Sequence, residues 1–162
     1  YTPPVPNDHS ETLDALIGKS AEAVYARTQP YLYSRWLIAQ RRPAEALPIL
    51  QQLIYSADKT ERLWALITMA SPALGAASEA DRRRYFEAAL RLDPNFMPAL
   101  SQLQGLELGA GADERALTLR RRFAAGAPYL RRQIKRDVAD EQLAINQAWL
   151  GILTGDYRLA GC

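Results

Sequence analysis

Along most of this chain, apolar residues recur at spacings of three and four, the period of one face of a helix. Leu47, Leu50, Leu53 and Ile54 form one such stripe behind Pro43, which suits a first helical position. Tyr33, Trp36, Leu37 and Ala39 form another behind Pro30. Leu63, Trp64, Leu66 and Ile67 follow, with Thr60 as the expected cap and Pro72 and Gly75 as the stop. Ser78 is placed to start the helix that carries Tyr85, Phe86, Ala89, Leu90 and Leu92. Pro98 opens the next, with Leu100, Leu103 and Leu106, and Gly109 and Gly111 close it. Asp113 is expected to cap ERALTLRRRF, which ends near Gly126. Pro128 opens a last helical region to about Leu153, expected to break near Asp137 and to stop at Gly155. Near the start, Ser10 predicts a short helix through Ile17, Gly18 interrupts it, and Ser20 begins a second stretch, AEAVYAR. Alternating apolar and polar runs bounded by turns are missing. The predicted class is all-α: antiparallel helix hairpins with short connections.

The stripes are self-similar. AEALPILQQL, DRRRYFEAALRLDPN and DERALTLRRRF carry one apolar ladder, and anchoring them on Leu53, Ala89 and Phe123 gives offsets of 36 and 34 residues. Each is preceded by another helix of similar length. A helix–turn–helix unit at that period points to an α-solenoid.

Particular words narrow this. ALRLDPNF resembles the close of a tetratricopeptide (TPR) repeat, and AWLGILTGDYRLA resembles the middle of another, with Gly-Asp-Tyr at the turn between its two helices. RRPAEAL is a looser version of that turn, with Ala46 in the small position. The resemblance implies a short, irregular TPR-like solenoid over residues 10–162, with units near 27–60, 63–96, 97–126 and 141–162. The chain departs from the family pattern in several places. Position 70 offers Ala for the usual small residue, but positions 34 and 104 offer Ser and Gln. An insertion surrounds ALGAASEA, and residues 127–140 do not fit the period.

Composition adds bounds. The 162 residues are 48% hydrophobic and 23% charged, which suits one globular domain or a few stacked repeats. The net charge of +2 is too small to imply nucleic acid or a membrane surface. No run of about 18 apolar residues is present, so no membrane span is expected. Residues 1–9, YTPPVPNDH, read as a proline-rich lead-in or linker, and the start at Tyr1 reads as a piece of a longer chain. Compartment is open between bacterial periplasm and cytoplasm; the Ala-, Arg- and Leu-rich wording suggests a bacterial source.

Candidate chemistry is sparse. The one histidine, His9, lies in the lead-in, and the one cysteine, Cys162, is terminal with no base to activate it. Glu45, Glu61, Glu79 and Asp81 fall singly on expected solvent faces or caps, so no metal or cofactor site is predicted. The basic clusters Arg82–Arg84, Arg120–Arg122, Arg131–Arg132 and Lys135–Arg136 offer a phosphate-binding stripe or solvated helix faces whose stems cover apolar surface. Neighbouring acids and the balanced charge favour the second reading, and with it no nucleic acid.

What the resemblance implies is a non-catalytic module that holds a peptide or partner protein on its inner face. The motif register names that face: Tyr31 and Arg35, Trp64 and Ile67, Ser101 and Gln102, and Asn146 and Trp149. The Lys and Asn pattern by which some members clamp a C-terminal carboxylate is missing. Two expectations follow. One is an interaction module of a bacterial assembly or secretion protein. The other is the ligand-sensing part of a membrane-linked transcriptional regulator. Exposed end helices would also allow two copies to pair.

Overall fold

The computed structural model describes residues 13–75, 78–156 and 158. The expected lead-in, the cap at Ser10, His9 and Cys162 lie outside them. The described residues form helices and connections, with no strand. In order they are α1 (Leu13–Thr28), α2 (Pro30–Ala39), α3 (Pro43–Leu53), α4 (Lys59–Met69), a 3-10 turn (Pro72–Leu74), α5 (Glu79–Leu92), α6 (Met97–Gly109), α7 (Asp113–Ala125), α8 (Ala127–Gln133) and α9 (Arg136–Thr154). Each helix packs on the next along the chain, α2 also touches α4, and α9 reaches back to α7.

The connections explain the hairpins. Between α2 and α3, the Arg41 amide bonds to the Ile38 carbonyl and the Arg42 amide to Leu37, at 3.0 and 2.8 Å. Between α6 and α7, the Gly111 amide bonds to Leu108 and the Ala112 amide to Glu107, at 3.1 and 2.9 Å. Both are Schellman closures, in which a left-handed residue reverses the chain within three positions. The left-handed residues are Arg41 at φ 60° and Gly111 at φ 71°. The α4–α5 connection differs. It holds the 3-10 turn and a longer path to Ser78, where the sequence carries its insertion.

Two apolar clusters share α4. Ala65 and Met69 pack with Tyr33 and Leu37 of α2 and Leu50 and Leu53 of α3. Leu63, Leu66 and Ala70 pack with Phe86, Phe96, Met97 and Leu100, in a cluster that continues through Phe123 to Leu143. The ladder anchors Leu53, Ala89 and Phe123 are all buried. So are Ser34, Ala70 and Gln104, the three positions where the repeat pattern asks for a small residue. The two polar ones are satisfied: Ser34 Oγ donates to the Tyr31 carbonyl at 2.7 Å and Gln104 Nε2 to the Leu119 carbonyl at 3.3 Å.

Four boundaries differ from expectation. Helix α1 runs unbroken through Gly18 and Ser20, because a glycine weakens a helix by about 1 kcal/mol but ends it only in a left-handed turn. The cap of α4 is Asp58, whose carboxylate accepts from the Thr60 and Glu61 amides at 2.6 and 3.1 Å; Thr60 is inside the helix. Asp113 is the first residue of α7, not its cap, because the turn through Gly111 leaves Ala112 in that place. The break before α9 falls at Ile134 and Lys135 instead of near Asp137; both take extended backbone, and Ile134 packs on the core there.

Candidate functional site

Helix α4 positions the site. Its Thr60, Trp64, Ile67 and Ser71, the last just past its end, follow one another at helical spacing and face one side. Two cavities open on that side and share Trp64. The first, about 370 Å³, is lined by Tyr31, Arg35 and Ile38 of α2 and by Trp64, Ile67 and Thr68 of α4. The second, about 630 Å³, extends from Lys59, Leu63 and Trp64 to Phe96, Met97, Ser101 and Gln102, and is closed by Leu130, Ile134 and Gln142. Six of the eight residues named from the sequence therefore lie along one continuous surface: Tyr31, Arg35, Trp64, Ile67, Ser101 and Gln102.

Aromatic contacts hold its middle. Trp64 meets the edge of Phe96 at a centroid distance of 5.3 Å and lies tilted against Tyr31 at 6.4 Å. Such pairs stabilise by about 0.5–1.5 kcal/mol beyond the area they bury. Thr68 Oγ1 donates to the Trp64 carbonyl at 2.8 Å, and the Tyr31 hydroxyl stands 3.4 Å from the same Thr68 oxygen. Trp64, Tyr31 and Ile67 are half-buried, while Arg35, Ser101 and Gln102 are exposed. Apolar, rigid groups thus form the floor and polar groups the rim.

The remaining pair sits elsewhere. Asn146 is only 3% exposed, and its Nδ2 donates to the Arg120 carbonyl at 3.1 Å, so it joins α9 to α7. The Trp149 ring lies 5.2 Å from the Arg120 guanidinium. It therefore covers a basic side chain instead of lining the groove. The register that named both residues expected a fourth unit at 141–162; α9 packs on α7 and α8, and neither residue lines either cavity.

Two charged residues read as solvated prove to be structural. Arg83 donates to Glu107, which also lies 3.4 Å from Arg115. The hydrogen bond to Glu107 holds the Arg83 guanidinium above its ordinary pKa. Arg120 is 6% exposed, and burial pushes its pKa down. It stands at the ladder position filled by Leu50 in α3 and Phe86 in α5. Two of these positions show in the sequence as phase: Glu107 continues the stripe of Leu100 and Leu103, and Arg120 repeats Leu50 and Phe86.

Among the described residues, no group of three or more His, Cys, Asp or Glu side chains is placed to hold a metal ion. No described helix is long and apolar enough to cross a membrane. Leu16, Ile17 and Val24 of α1 and Val138, Ile145 and Ile152 of α9 are exposed. Comparison with known proteins finds no matching family profile, no similar curated protein and no similar solved structure.

Proposed function

We propose that this chain is a non-catalytic, TPR-like helical-repeat module that binds a peptide or partner protein in the groove along α2, α4 and α6. One observation carries the reading: two cavities join at Trp64 into a surface with an aromatic floor and a polar rim. Grooves built this way suit an extended segment or a partner helix whose large side chains enter successive pockets. The TPR-like reading is supported by the ladder offsets of 36 and 34 residues. It is also supported by the matching Schellman turns at Arg41 and Gly111, 70 positions apart, or two such periods.

The test is selection of a displayed random-peptide library against the whole chain. Enriched peptides should bind the wild-type chain saturably. They should lose tenfold or more in affinity to the Ser101→Arg/Gln102→Arg variant, which crowds the groove from exposed positions without disturbing the core. Peptides that bind that variant and Trp64→Ala as tightly as wild type would place recognition elsewhere and overturn the reading.

A further inference from the structure

On the other side of α4 lies a cavity with different chemistry. Arg62 and Leu66 point on average about 150° away from Trp64 and Ile67, given 100° of rotation per residue. Together with one face of α5 they border a cavity of about 470 Å³. Three arginines line it, Arg62, Arg84 and Arg91, against one acidic residue, Asp81. Leu66, Leu92 and Tyr85 supply its apolar wall.

The acid is already engaged. Asp81 accepts a hydrogen bond from Ser78 Oγ at 2.6 Å and pairs with Arg84 at 3.4 Å. That leaves Arg62 and Arg91, and neither forms an ion pair with any described residue. The Nε of Arg62 is buried without a hydrogen-bond partner. A buried donor left unmet is costly, and two like charges beside one cavity repel each other. An incoming anion would relieve that repulsion, and the volume is that of a small-molecule site.

We propose that this cavity binds an organic anion, its carboxylate or phosphate head paired with Arg62 and Arg91 and its apolar body seated on Leu66 and Leu92. The site is separate from the peptide groove and does not depend on it. Octanoate and octyl phosphate are suitable probes, titrated into the whole chain and followed by ¹H–¹⁵N spectra that include the arginine Nε–H signals. Both should give saturable shifts centred on Arg62, Leu66 and Arg91, and the stronger of the two identifies the preferred head. Octanol and inorganic phosphate, each carrying half of the chemistry, should bind at least tenfold more weakly. Arg62→Gln and Arg91→Gln should each weaken binding about tenfold or more, since a hydrogen bond to a charged group is worth about 1.5 kcal/mol or more. Arg91 is exposed, so its variant keeps the test intact if circular dichroism shows that Arg62→Gln fails to fold. Absence of shifts at these residues, equal binding of octanol or of inorganic phosphate, or undiminished binding by the double variant would each overturn the proposal.

Discussion

The guanidinium of Arg83 on α5 donates to the carboxylate of Glu107 on α6, a side chain only 1% exposed. This contact joins two hairpins, since α5 closes one and α6 opens the next. Burying a carboxylate is tolerable only when it is paired, and removing Arg83 leaves Glu107 only the longer contact to the exposed Arg115 among the described residues. Arg83→Ala should therefore destabilise the chain by about 3 kcal/mol, whereas Arg115→Ala, at an exposed position, should stay within about 0.5 kcal/mol. Replacing both Arg83 and Glu107 with Met should recover most of the loss. Urea unfolding midpoints measure all three, and a double variant as unstable as Arg83→Ala would show that the charges contribute more than their burial costs.

Arg120 gives the opposite expectation. It occupies a core position of the ladder, its Nε has no hydrogen-bond partner, and burial disfavours its charge. The face of Trp149 answers it, a contact of about 0.5–2 kcal/mol. Arg120→Leu restores the residue found at position 50 and should stabilise the chain by about 1 kcal/mol or more. A lowered thermal midpoint would instead assign the guanidinium a structural role.

A third relationship ties α1 to α2 and α3. The Tyr33 hydroxyl donates to Glu22 at 2.6 Å, and Arg42 approaches the same carboxylate at 3.0 Å. The Tyr33 bond, and then Arg42, hold the Glu22 carboxyl below its ordinary range, while the same bond holds the Tyr33 phenol above its own. The Glu22 contribution is full above the unfolded value of about 4.3 and fades as pH falls through the lower folded value. The Tyr33 contribution is full below about 10 and fades as pH rises through the higher folded value. In Tyr33→Phe, the Glu22 carboxyl carbon should titrate at higher pH than in wild type by NMR. An unchanged midpoint would reassign the shift to Arg42.

Arg41 sits at φ 60° in the turn where the equivalent of the next such hairpin has Gly111. A side chain in the left-handed region costs about 1 kcal/mol that glycine does not. Arg41 forms no ion pair with a described residue, so Arg41→Gly should raise stability by up to about 1 kcal/mol. Gly111→Arg should lower it. Thermal denaturation of the two variants reads both, and equal midpoints would show that the two turns are not energetically alike.

The helices, their order and the ladder of Leu53, Ala89 and Phe123 could be read from the sequence alone, because helical periodicity and capping are local properties. So could most of the groove, since Tyr31, Trp64 and Ser101 fall on the leading helices of successive hairpins. Local signals failed where another element decided the outcome. Gly18 stays helical, Ile134 turns extended and packs on the core, and Asn146 is buried against α7. The charges depended most on tertiary structure. Arg83 and Arg84 are neighbours in sequence, yet only Arg83 finds the buried Glu107, and the Arg62 cavity exists only because α5 packs beside α4. A charge's energy is set by what surrounds it, and for these residues the surroundings come from helices distant in sequence.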